Sequence, residues 1–118
     1  TFGPIGNIAA EAIAEAEKRE AEKGNRLSVA HYDMRFAKPL DENILQEVGK
    51  TFAKIITIED GVKEGGFGSA ILEYLSDHDM HPQVIRLGLP DHFVEHGSIQ
   101  ELYKLVGLDK ESIIKTII

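Results

Sequence analysis

The sequence predicts a three-layer α/β domain with a mostly parallel sheet. Three observations lead there. Short β-branched runs alternate with amphipathic helices. The helices carry start and stop residues at the right offsets. The strands read as near-continuous apolar runs, the mark of strands covered on both faces. Right-handed crossovers follow from that alternation.

The first helix is expected over about residues 4–23. Ile5, Ile8, Ala9, Ala12, Ile13 and Ala16 recur at helical spacing, and Glu11, Glu15, Lys18, Arg19 and Glu22 populate the other side. Glu15 and Arg19 form an i,i+4 pair, Pro4 suits the first turn, and Gly24-Asn25 supplies the stop. Leu27-Ser28-Val29-Ala30-His31-Tyr32 reads as a short strand. Asp41 caps a helix running to about Gly49, with Leu40 stapled onto Leu45. Ile55-Ile56-Thr57-Ile58 is too short and too β-branched for a helix and reads as a buried strand.

After a glycine-rich turn, Phe67, Ala70, Ile71, Tyr74 and Leu75 mark a further amphipathic helix, and Val84-Ile85-Arg86-Leu87 the next strand. Two capped helices close the chain. Ser98 and Glu101 form a capping box with Gly107 as the stop, and Asp109 caps the last helix with Leu108 stapled onto Ile113.

Length and composition bound the possibilities. With 118 residues, positions 1–118 make one domain able to bury a core of its own. There is no cysteine, so thiol nucleophiles, zinc–thiolate sites and disulfides are excluded, in keeping with a reducing cytoplasm. A formal charge of −7 without a Lys/Arg cluster argues against nucleic acid. No apolar run reaches the length of a membrane span, and no signal-peptide pattern opens the chain, so a soluble intracellular protein is expected. Thr1-Phe2-Gly3-Pro4 reads as the end of a strand entering a turn, so a piece of a longer protein is expected.

Few residues could carry chemistry. His92-Phe93-Val94-Glu95-His96 spells the H-x-x-E-H pattern of a zinc peptidase family. Pro90 and Gly97 bracket it closely, however, and the one-face helix it requires is not expected. Gly65-Gly66-Phe67-Gly68-Ser69 sits between strand and helix, where backbone N–H groups could hold an anion. Its spacing matches neither a P-loop nor G-x-G-x-x-G, and Asp60 and Glu64 lie close by, so a tight turn is the better reading. Glu59-Asp60, at a strand C-terminus, could form an acid/base pair, but no partner side chain is arranged for it, and capping or solvation is expected instead. His31 reads as a strand histidine with a local hydrogen bond, and His78 and His81 as surface residues.

Longer runs point to a family. Asp33-Met34-Arg35-Phe36-Ala37-Lys38-Pro39-Leu40-Asp41 resembles the segment after a strand in the C-terminal domain of transketolase-type enzymes. Ile58-Glu59-Asp60 with Gly65-Gly66-Phe67-Gly68-Ser69-Ala70 resembles that family's next strand–turn–helix, and Phe2-Gly3-Pro4-Ile5-Gly6-Asn7 its first helix entry. Those features also suit beta subunits of 2-oxo acid dehydrogenases. Gly88-Leu89-Pro90-Asp91-His92-Phe93-Val94-Glu95-His96-Gly97-Ser98 and Leu105-Val106-Gly107-Leu108-Asp109 resemble instead the C-terminus of the 1-deoxy-D-xylulose-5-phosphate synthases. A free-standing anion-binding module built on Gly65–Gly68 is the remaining alternative.

The resemblance implies a transferase, a cytoplasmic homodimer using thiamine diphosphate and Mg2+. It condenses pyruvate with glyceraldehyde 3-phosphate, losing carbon dioxide, in the non-mevalonate route to isoprenoids. The family's cofactor and substrate residues lie in the preceding domains. No catalytic, cofactor-binding or metal residue is therefore carried onto this chain, whose implied role is to support the fold and the dimer, without activity in isolation. Family members have a five-stranded mixed sheet with one antiparallel edge. This sequence starts too late to hold that edge strand, or most of the strand ending at Thr1-Phe2. A gap is therefore expected between residues 27–32 and 55–58, closed by upstream residues, by rearrangement or by a second copy.

Overall fold

A computed structural model describes residues 1–34, 40–63, 65–90 and 98–118. Helix α1 (Gly6–Glu22) buries Ala9, Ala12 and Ala16, whose small side chains let it lie close on its neighbours. Pro4 and Ile5 fall in the turn before it, and Gly24, at φ +80°, ends it. Helix α2 (Glu42–Thr51) starts where Asp41 Oδ1 accepts from the Ile44 N–H at 3.2 Å, the expected cap, and runs past Gly49.

Strand β1 (Lys54–Val62), helix α3 (Phe67–Asp77) and strand β2 (Gln83–Leu89) follow. The two strands pair in parallel, Ile55 opposite Val84 and Ile58 opposite Leu87, with an irregularity between Ile58 and Val62. Helices α4 (Ile99–Val106) and α5 (Lys110–Ile117) close the chain.

The side-chain alternation of a strand sorts β1 between two cores. Ile56 and Ile58 meet Ile5, Ala9, Leu108, Ile113 and Ile114 on the α1–α5 side, whereas Ile55 meets Leu45, Phe67, Ile71 and Leu75 on the α2–α3 side. Ile5, Leu108, Ile113 and Ile114 are at most 1% exposed, and each contributes about 1.5–3 kcal/mol of burial. The result is helices on both faces of a parallel pair, the layering expected from the sequence. Arg19 pairs with Glu15 as expected (3.0 Å) and also forks onto Glu111 of α5 (2.8 and 3.1 Å). These groups are solvated, so the clamp fixes orientation more than it stabilises.

Two expectations need correction. Residues 27–32 do not form a strand; they run without regular structure. Two hydrogen bonds at the end of this stretch, from the Thr1 amine to the Tyr32 carbonyl and from the Met34 N–H to the Thr1 carbonyl (both 2.8 Å), tie it to the first residue. The reason is physical: β propensity alone does not make a strand where no neighbour offers donors and acceptors. Second, Asp109 stands at the N-cap position of α5, but its side chain makes no capping bond. Its Oδ1 is buried without a partner among the described residues. The other half of that motif holds: Leu108 and Ile113 are both fully buried in one cluster. Ser98 Oγ accepts from the Glu101 N–H (3.2 Å), and Gly107, at φ +83°, ends α4.

On its other edge β1 carries one bridge among the described residues, Phe2 to Glu59, in parallel. Phe2 N–H donates to the Ile58 carbonyl at 2.9 Å. Thr1-Phe2 thus lies between residues 27–34 and β1, the order expected from the sequence. Below it the two segments flank an apolar cavity of about 350 Å3.

Candidate functional site

Open α/β sheets gather ligands at strand C-termini, and there β1 ends in Glu59-Asp60. The alternation that sorts the isoleucines sends these two carboxylates to opposite faces. Glu59 turns toward α3. It is 2% exposed, Oε1 accepting from the Phe67 N–H (3.0 Å) and Oε2 from the Gly68 N–H (2.7 Å). A helix N-terminus offers unpaired N–H groups and a partial positive charge, and here a carboxylate of the same chain meets both. Asp60 turns toward α1. Its Oδ2 accepts from the Ile5 N–H (3.0 Å), and its Oδ1 accepts a short hydrogen bond from the Tyr103 hydroxyl of α4. Gly3, at φ +95°, turns the chain so that Ile5 reaches it.

Both acids are therefore helix caps, the reading preferred from the sequence over an acid/base pair. Each holds a helix to the same strand end, one on each side of the sheet. Tyr103 was not legible in the sequence, since no local pattern marks a residue whose partner lies more than forty positions away. Its hydrogen bond to Asp60, with burial and the carboxylate charge adding, pushes the phenol up to about 12. A raised folded-state value means a contribution present below the ordinary tyrosine range and lost as the pH rises from about 10 to 12. Alkaline denaturation should accordingly be steeper in the native chain than in Tyr103→Phe across that interval, as read by circular dichroism at stepped pH. Identical profiles would show that the bond contributes nothing.

The glycine-rich turn meets the expectation of a tight turn. The left-handed residue is Gly65 (φ +73°), whereas Gly66 has an ordinary φ of −90°. Gly68 is needed for space: a Cβ there would stand 2.5 Å from Thr57 Oγ1, 3.2 Å from Arg86 Cγ and 3.3 Å from Glu59 Oε2. The Ser69 hydroxyl accepts from the Gly65 N–H (3.2 Å) and from Arg86 Nη1 (2.8 Å), and donates to the Lys63 carbonyl (3.0 Å). It has no free role as a nucleophile. An external phosphate would have to displace Glu59 from the α3 N-terminus.

The histidines do not converge. His31 Nε2 lies 2.8 Å from Thr1 Oγ1, a contact across thirty positions rather than the local bond expected. Its pKa is lowered, first by burial and then by the neighbouring amine, against the opposing pull of Asp33. His78 is exposed, stacked on Tyr74 at 3.9 Å, and His81 is exposed beside Asp79. Among the described residues no three His, Asp or Glu side chains converge as metal donors, and no helix is long and apolar enough to cross a membrane. The His92–His96 pattern, Glu64, and parts of the 33–41 and 88–98 runs lie outside the described residues.

Comparison with known proteins places these observations in a family. The family described as "Transketolase, C-terminal domain" matches residues 1–113. The chain is 56% identical over 117 residues to the 1-deoxy-D-xylulose-5-phosphate synthase of Bacteroides fragilis, covering 99% of this chain and 17% of that protein. It is 52% identical to that of Phocaeicola vulgatus, over all of this chain and 18% of that protein. To that of Caldanaerobacter subterraneus subsp. tengcongensis it is 41% identical, over 97% of this chain. The chain thus spans under a fifth of the length of these curated relatives. Among solved structures, a split-gene transketolase, an inactive beta4 tetramer, matches with a TM-score of 0.73 and 28% identity, over 98% of this chain and 35% of that one.

Proposed function

The chain belongs to the family of transketolase C-terminal domains, and from that premise we propose that it is the C-terminal domain of a 1-deoxy-D-xylulose-5-phosphate synthase, with a structural and dimer-supporting role. The parent is a cytoplasmic, homodimeric transferase that joins pyruvate to glyceraldehyde 3-phosphate with loss of carbon dioxide. Identities of 41–56% to named synthases along nearly the whole chain support the parent. The observation that carries the structural role is the double cap at the end of β1. Glu59 and Asp60 occupy the position where an α/β domain would hold a ligand, and both are spent on helix termini.

Thiamine diphosphate and Mg2+, the cofactors such a synthase requires, do not fit the described residues. The N–H groups of Phe67 and Gly68 that could meet a diphosphate hold Glu59, and among the described residues no group of three His, Asp or Glu side chains converges on a cation. The cofactor belongs to the preceding domains of the parent. The same occupancy argues against a free-standing anion-binding module. Titration calorimetry of thiamine diphosphate with Mg2+ into the 118-residue chain should give no saturable heat. Saturable micromolar binding would overturn the structural reading.

A further inference from the structure

The sequence holds two methionines, no cysteine and no tryptophan, so methionine sulfur is its softest target for an oxidant. The two sulfurs differ in access. Met34 is 7% exposed, whereas Met80 is half-buried between the exposed residues Asp79 and His81. Met80 stands at the corner where α3 turns toward β2, and the way α3 ends fixes its direction. Asp79, at φ +60°, takes the left-handed conformation that stops a helix. The Asp79 N–H donates to the Ser76 carbonyl (3.2 Å), and the Met80 N–H donates to the Leu75 carbonyl (2.9 Å). A stop of this kind lays the residue after the left-handed one against the last turn, here Met80 on Leu75. Both belong to the α2–α3 core.

Across this corner, α2 passes with Gly49 facing it. A Cβ at Gly49 would stand 2.6 Å from Met80 Sδ, 2.8 Å from Leu75 Cδ2 and 3.2 Å from Met80 Cε. The thioether thus fills the place of a side chain that α2 lacks, and it joins α2 to the end of α3. Gly49 lies inside α2, so its N–H is spent on the helix and offers no donor. An oxygen on the Met80 sulfur would be a polar acceptor set against helix backbone and a leucine methyl. Either it stays unpaired, or the side chain leaves the notch for water. The corner has little in reserve, because Asp79 already holds a conformation disfavoured for residues with a Cβ.

We propose that Met80 is a reversible oxidation site whose sulfoxide loosens α2 from the corner between α3 and β2. The oxidant is hydrogen peroxide. One oxygen atom passes to the sulfur: the S–O bond forms, the O–O bond breaks, the sulfur loses two electrons and water leaves. Reduction by a dithiol through methionine sulfoxide reductases returns the thioether, releases that oxygen as water and leaves the dithiol as a disulfide. The proposal uses only this corner and is independent of the family reading.

The test treats the 118-residue chain with hydrogen peroxide at neutral pH and follows both methionines by peptide mass spectrometry. Sulfoxide should form at Met80 about tenfold or more faster than at Met34, in line with access. Once Met80 is converted and Met34 is not, the melting temperature should be lower by about 4 °C or more. Reductases for both sulfoxide epimers, with a dithiol, should restore it. Met80→Leu keeps the apolar volume without the sulfur, and its melting temperature should not move under the same exposure. Equal rates at the two methionines would overturn the proposal. So would an unchanged melting temperature after full conversion of Met80, a loss that the reductases do not reverse, or an equal loss in Met80→Leu.

Discussion

Replacing Glu59 with alanine should lower the stability of the domain by roughly 2–5 kcal/mol, because two buried N–H groups lose a charged acceptor at once. The carboxylate is 2% exposed and meets the Phe67 and Gly68 N–H groups at 3.0 and 2.7 Å. Glutamine is not a conservative replacement here. It keeps one acceptor oxygen but sets an amide NH2 against the other N–H, so Glu59→Gln should also destabilise substantially. Chemical denaturation at neutral pH reads both values. Against a domain stability of about 5–15 kcal/mol the loss is large. An unchanged midpoint for the alanine variant would mean that the α3 N-terminus does not depend on its internal anion.

Substitution at Gly68 should have the next largest effect. A Cβ would meet Thr57 Oγ1 at 2.5 Å, with Arg86 Cγ and Glu59 Oε2 close behind. Thr57 is 2% exposed, so the clash falls inside the fold rather than at its surface. Gly68→Val should cost about 1–3 kcal/mol or more, as overpacking of a filled interior does. Gly66→Val, at φ −90°, lacks the left-handed conformation that would force strain. The melting temperature of Gly68→Val should therefore fall further than that of Gly66→Val. The reverse order would show that the close approach of α3 to the sheet tolerates a side chain.

What the sequence disclosed, and what it withheld, follows from the range of each interaction. Helices α1 to α5 were legible because their apolar spacing and caps are local: Asp41, Ser98 and Gly107 do what their positions suggest. Asp109 has the right identity and position but not the bond, because side-chain orientation depends on what packs around it. The pairing of β1 with β2 followed from alternating strands and helices. The stretch 27–32 had strand-like composition, yet strand formation depends on a neighbour that composition does not report. Glu59 and Asp60 could be singled out as caps. Their division between two faces follows from strand parity, but the particular helices they meet are set by the chain topology. Tyr103 completes the Asp60 contact from the other end of the chain, and nothing around it marks that role.

The proposed parent is tested most directly by its product. The full-length protein containing these residues, supplied with pyruvate, glyceraldehyde 3-phosphate, thiamine diphosphate and Mg2+, should form 1-deoxy-D-xylulose 5-phosphate detectable by mass spectrometry. The 118-residue chain under the same conditions should form none. Product from the isolated chain would contradict the structural role, and a full-length protein that consumes neither substrate would contradict the assignment of the parent.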